Sequence, residues 1–210
     1  MIVQKYFNYH FSEMKDRNNF FVNSTNQDAF NVVTDDLFDQ NIFLIGPPKS
    51  GKSHLINIWK EKNKALIYNN NFSDIIKLNK NIIIDNILNK KSEEQVFHMI
   101  NHCKSFNLKI IITSSVQLNN YDFNLRDLYS RLRSFYYVKI NQPDDEMCKI
   151  IMTKLFYEKQ IIIKNNEIFD FILNRVTRTY NDIYNLVEKI DSLSLEKKRQ
   201  LTIPLIKEIL

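Results

Sequence analysis

The sequence predicts an α/β fold: five parallel strands in one sheet with helices on its flanks, followed by a smaller unit built from helices alone. Three observations lead there. Short runs rich in isoleucine alternate with longer amphipathic stretches, as parallel pairing requires, because each return to the same edge of a sheet needs a crossover helix. Both glycines of the chain, Gly46 and Gly51, fall in one octapeptide, GPPKSGKS, directly after one of those runs. From Pro143 onward the pattern reads helical to the end.

Taken in order, residues 1–25 are polar and aromatic without a sustained period and read as an extended arm. A helix is expected over Gln27–Phe38, then a strand at Ile42–Ile45, and after the octapeptide a helix over Lys52–Lys62 with Leu55, Ile58 and Trp59 on its core face. Ala65–Tyr68 reads as the second strand, a short polar link follows, and Asn81–Asp85 (NIIID) is the third. Its unbroken isoleucine run suits a strand buried on both faces. Ser92 and Gln95 are spaced to cap a helix over Ser92–Ser105. Strand Lys109–Thr113, a helical stretch Leu125–Leu132 and strand Phe135–Ile140 complete the sheet. Pro143 with Asp144 and Asp145 marks a linker, and helices are expected at Asp144–Lys159, Glu167–Arg175, Asn181–Leu193 and Pro204–Leu210. Pro204 fits a first turn, where its missing N–H is no loss. The chain thus divides into an arm (1–25), an α/β core (26–141) and a helical appendage (142–210).

Composition narrows the function classes. At 210 residues and 44% hydrophobic the chain can bury the core of one α/β domain with a small addition. No apolar run reaches the ~18 residues a membrane span needs, and the N-terminus has no signal-peptide pattern, so a cytoplasmic protein without a membrane partner is expected. Cys103 and Cys148 have no metal-ligand spacing and read as free buried thiols. His98 and His102 stand four apart with no third ligand nearby and read as helix surface or core. The net charge of +5 comes from lysines spread through a sequence rich in asparagine and isoleucine, which gives no ground for direct sequence-specific DNA binding.

The chemistry concentrates in the octapeptide. Glycines at both ends of a turn between a strand and a helix, followed by Lys52 and Ser53, form a Walker A loop. The glycines are expected to supply unusual φ/ψ values so that backbone N–H groups face phosphate oxygens; Lys52 would reach the β/γ-phosphates and Ser53 would ligate Mg²⁺. Gly46, Pro47, Lys49, Ser50, Gly51, Lys52, Ser53 and His54 form the expected contact set for ATP or ADP, with His54 also packing in its helix. A second Mg²⁺ ligand has to come from a carboxylate at the end of a neighbouring strand, and Asp85 stands there. The next residue is Asn86, which can orient a water but cannot act as a base near neutral pH, so weak intrinsic hydrolysis follows. Arg131 and Arg133 end a helix ahead of the fifth strand. Spacing alone leaves open whether one of them reaches a neighbour's nucleotide or simply suits a helix C-terminus.

Over nearly its whole length the chain resembles the AAA+ ATPases of the DnaA family, and most closely the short Hda-type regulators among them. The resemblance is carried by NFFVNSTNQDAF (19–30), GPPKSGKSHL (46–55), IIIDN (82–86), VFHMIN (96–101), IIITSS (110–115), LRDLYSRLRS (125–134) and LTIPLIKEIL (201–210), after which the chain ends without room for a DNA-binding domain. The resemblance implies an AAA+ P-loop fold with a helical lid and a negative regulator of replication initiation that activates ATP hydrolysis by DnaA. It makes Arg131 the arginine finger acting in trans and sets Phe21, Val22 and Asn26 near the adenine. It assigns the sensor of the fourth strand to Ser115 and the lid arginine position to Asn181, with Arg178, three residues earlier and expected on the same helix face, as the substitute. It also implies docking on the sliding clamp (DNA polymerase III beta subunit) through an N-terminal peptide, here Gln4–Tyr9, where Lys5 stands in place of a typical leucine. Packing of Tyr6, Phe7, Tyr9 and Phe11 onto the core is the alternative for that peptide. A homodimer is compatible with the pattern, as is a recruitment module or a helicase-loader-like ATPase.

Overall fold

A computed structural model describes residues 20–69, 71–87, 92–163 and 165–210. The expected clamp peptide Gln4–Tyr9 lies outside the described residues. Two compact units divide at Gln142–Pro143.

The first unit carries a five-stranded, all-parallel sheet. Its strands are β1 (Ile42–Ile45), β2 (Leu66–Ile67), β3 (Ile82–Ile84), β4 (Ile110–Ser114) and β5 (Tyr136–Lys139), in the order β2-β3-β4-β1-β5. The register sets Ile42 beside Ile111 and Tyr136, and Ile84 beside Ile112. The isoleucine runs of β3 and β4 are fully buried, as strands covered on both faces must be. Phe43, Ile45, Ile82, Ile84, Ile110 and Ile112 form one face, packed against Val96, Met99 and Cys103 of α4 (Glu93–Ser105) and Leu128 and Leu132 of α5 (Arg126–Arg133). Ser92 caps α4 by accepting from the Gln95 N–H, the pairing its spacing predicts.

Several elements differ from expectation. Helix α1 (Gln27–Thr34) stops four residues early because Asp35 turns extended and its carboxylate accepts from the Leu37 N–H, an Asx turn that competes with the helix. The polar link before β3 holds a short helix, α3 (Phe72–Lys77), anchored by buried Ile75. Strand β2 has only two residues, both half-buried at the sheet margin. Helix α2 (Lys52–Asn63) runs one residue past its expected end, and Trp59 is in the core.

The second unit consists of α6 (Asp145–Glu158), α7 (Glu167–Leu173), α8 (Tyr180–Lys197) and α9 (Ile203–Ile206) around its own apolar core, which includes Met152, Phe156, Ile172, Ile183, Val187 and Ile206. Side-chain caps define three of these starts: Asp144 accepts from Met147 N–H, Thr179 from Asp182 N–H and Thr202 from Leu205 N–H. Helix α8 runs four residues beyond its expected end, whereas α9 is a single turn.

Candidate nucleotide-binding site

Strand β1 lies between β4 and β5, away from β2, the strand that follows it in sequence, so its carboxyl end opens at the switch point of the sheet, where α/β folds bind ligands. The loop that leaves it is held by few backbone bonds: Gly46 N–H to Ser114 O (3.1 Å), Ser50 N–H to Pro47 O (3.2 Å), and the N–H groups of His54 and Leu55 to Gly51 O. Gly51 has φ +91°, open to glycine and costly for other residues, and Lys49 is also left-handed at φ 63°. Gly46 does not share that conformation, contrary to expectation. What it supplies is space, since a Cβ there would lie 2.7 Å from Ser50 Oγ and 3.0 Å from Ile140 Cβ. No side chain caps α2, and the amides of Lys52 and Ser53 in its first turn have no intrahelical acceptor. That leaves the positive end of a twelve-residue helix facing the loop.

Lys52 and Ser53 meet Asp85, which lies 32 positions beyond Ser53 in sequence. The Lys52 ammonium is folded into the loop, donating to Gly46 O (2.7 Å) and Pro47 O (2.8 Å), and the residue is only 8% exposed. Burial lowers its pKa from the ordinary lysine value, and the Asp85 carboxylate offsets part of that. Ser53 Oγ lies 3.4 Å from Asp85 Oδ2. A hydroxyl and a carboxylate oxygen at that separation fit adjacent ligands of an octahedral Mg²⁺, whose ~2.1 Å bonds place neighbouring oxygens about 3 Å apart. The donor set is all oxygen, as a hard cation requires. Asp85 is held from its other side by a residue the sequence reading passed over: buried Thr113 donates from Oγ1 to Asp85 Oδ1 (2.6 Å). Thr113 follows three isoleucines in β4, and nothing local in the sequence links it to Asp85.

The segment before α1 reaches the loop through a different aromatic residue than expected. Phe20 stacks on Phe30 (5.7 Å, 6°), meets His54 edge-on (5.2 Å, 82°), and stands 3.0 Å from where a Gly51 Cβ would be. Phe21 and Val22 are half-buried. The Asn26 side chain is 4% exposed and committed to its own turn, donating to Phe21 O (2.8 Å) and accepting from Asn23 N–H (3.0 Å). It shapes this segment through the backbone.

Asn86 adopts a left-handed turn (φ 50°), with its N–H on Thr113 Oγ1 (2.8 Å) and its Oδ1 buried without a partner. Ser115 lies just past β4, so the residue that touches the Asp85 carboxylate from this strand is Thr113, two positions earlier. Arg131 is half-buried and, among the described residues, forms no ion pair. It lines a cleft with Asn41, Lys109 and Phe135, the residues that precede β1, β4 and β5. Arg131 therefore sits at the amino-terminal end of the strands and the phosphate loop at the carboxyl end, a four-residue strand or roughly 13 Å away. Arg133 faces a separate cleft beside Tyr129 and Tyr137. In the second unit Arg178 precedes the Thr179 cap and so is not on the helix face of Asn181, as had been expected; its guanidinium is paired with Asp145. His98 and His102 pack against Phe97 and Phe106, and no group of three candidate metal ligands occurs among the described residues.

Comparison with known proteins places this geometry. Residues 157–210 match the family model described as the lid domain of Hda. The chain is 26% identical over 202 residues to the chromosomal replication initiator protein DnaA of Buchnera aphidicola subsp. Cinara cedri, covering 82% of this chain and 46% of that protein. It superposes on domain III of the Thermotoga maritima replication initiation protein DnaA with TM-score 0.75 at 16% identity, over 95% of this chain and 97% of that one. The chain is thus similar to DnaA in sequence, shares the fold of DnaA domain III, and ends in a segment that matches an Hda lid. The AMPPCP-bound DnaA of Aquifex aeolicus also shares the fold of this chain (TM-score 0.68, 21% identity, 90% of this chain and 70% of that one). The chain spans less than half the length of its Buchnera relative.

Proposed function

We propose that this chain binds ATP or ADP with Mg²⁺ in its phosphate loop and acts as a negative regulator of replication initiation, stimulating ATP hydrolysis by DnaA through Arg131 in trans. The observation that carries the reading is the convergence of Lys52, Ser53 and Asp85 beneath the open end of α2. A triphosphate would meet the N–H groups of that first turn and take the Lys52 ammonium from the carbonyls it now serves. Ser53 and Asp85 would hold Mg²⁺, which neutralises phosphate charge. Asn86 offers a carboxamide where a base would speed attack by water, so turnover by this chain alone is slow. Arg131 lies a strand's length from its own loop, too far to serve it, and has no ion pair among the described residues to give up. Both features support use on a neighbour's nucleotide, where an arginine of this kind changes rate on the order of 10³–10⁵.

The deciding experiment measures turnover of DnaA-bound ATP in the presence of sliding clamp on DNA. Wild type accelerates it and Arg131→Ala does not; equal rates would end the finger assignment. Removing residues 1–9 should abolish co-purification with the clamp if Gln4–Tyr9 is the docking peptide. The tie between Asn86 and Thr113 favours a second reading, in which the nucleotide only organises the fold and the chain recruits DnaA. Retained DnaA binding without stimulated phosphate release would select it.

A further inference from the structure

We infer that Thr113 is a positioning residue for the metal-binding carboxylate: its buried hydroxyl fixes the rotation of Asp85 so that one oxygen is presented beside Ser53. The inference rests on the nucleotide and Mg²⁺ reading above and adds a residue to it. Thr113 is 0% exposed at the end of Ile110–Ile112, where valine would fill the same volume, so the hydroxyl has to be explained by its bonds. It makes two. Oγ1 donates to Asp85 Oδ1 at 2.6 Å and accepts from Asn86 N–H at 2.8 Å. With Oδ1 occupied, Oδ2 is the oxygen left 3.4 Å from Ser53 Oγ. The Thr113 carbonyl also accepts from Ile87 N–H at 2.9 Å. One residue of β4 thereby holds the two amides that follow Asp85, including the left-handed turn at Asn86. A freely rotating carboxylate would have to be ordered when the metal arrives; here the ordering belongs to the fold. Partners that orient a ligand in this way typically contribute 10–100-fold to metal affinity.

The test uses the full chain and calorimetric titration of ADP, with Mg²⁺ or with EDTA, alongside electron paramagnetic resonance of Mn²⁺ bound with ADP. Thr113→Val should weaken Mn²⁺ binding about tenfold or more, leave ADP affinity in EDTA within twofold of wild type, and broaden the Mn²⁺ signal. Thr113→Ser, which keeps the hydroxyl and loses the methyl, should restore the metal affinity. A folded Thr113→Val variant with wild-type Mn²⁺ affinity overturns the inference, as does a serine variant that behaves like valine. Wild type that binds no ADP under either condition overturns the parent reading and this one together, so the two failures are told apart.

Discussion

At the level of single residues, the phosphate loop depends on what its two glycines lack. Gly46→Ala forces a methyl to within 2.7 Å of Ser50 Oγ and 3.0 Å of Ile140 Cβ, so a loss of about 1–3 kcal/mol in urea unfolding is expected, the usual range for overpacking. Gly51→Ala meets a different obstacle, the φ of +91° and the ring of Phe20. The motif was legible in the sequence; which glycine served which purpose was not, because crowding by Ile140 comes from a residue about ninety positions away in the chain. Thr113 escaped notice for the same reason, since its partner Asp85 is 28 residues distant. Cys103 shows how burial couples to pH. Desolvation pushes its thiol from 9.0 up to about 12, so between those values the unfolded chain loses a proton that the folded chain keeps. The contribution is complete below pH 9 and lost as pH rises toward 12. Stability should therefore fall across that window, and Cys103→Ala should flatten the fall in urea titrations at stepped pH. A thiol reagent at pH 8 should leave the native residue unmodified.

Elements were legible where an apolar period ran unbroken and faded where side chains compete for the backbone. The isoleucine strands β1, β3 and β4 and the helices α2, α4 and α6 stand close to where the pattern placed them, because burial on both faces leaves such segments little choice. The end of α1 was lost to an Asx turn at Asp35, and α3 lay hidden in a polar stretch whose single buried anchor, Ile75, gives no period. Caps are the complementary case, local signals that mark a boundary by a specific bond. Thr179 serves α8 in two ways, accepting from Asp182 N–H at 3.1 Å and donating to the Asp182 carboxylate at 2.8 Å. Thr179→Ala should cost about 1 kcal/mol in chemical denaturation, and Thr179→Ser should recover most of it. The Arg178 correction belongs here too. Counting three residues back from Asn181 assumed a helix that the cap shows has not yet begun.

At the scale of the molecule, the parallel sheet gives its unit two chemically distinct ends. Phosphate-binding groups follow the carboxyl end of β1, and Arg131 stands with the residues that lead into β1, β4 and β5. If the arginine serves only a neighbour, Arg131→Ala should leave the chain's own ADP affinity within about twofold of wild type while removing its effect on DnaA. A drop in ADP affinity measured by calorimetry would argue against that division of labour. The α/β architecture, and with it the separation of the two ends, could be read from strand and helix alternation, whereas the place of β1 between β4 and β5 could not, because strand order is set by long-range pairing. The margins of the same sheet carry a last consequence. The outer strands are two residues (β2) and four residues (β5) long, and β5 ends in an exposed lysine, Lys139, features that discourage another chain from adding a strand. Filament growth by edge-to-edge backbone pairing is thereby suppressed. Multimers of this chain would have to be joined through side chains and loops, contacts that added salt or one substitution can undo.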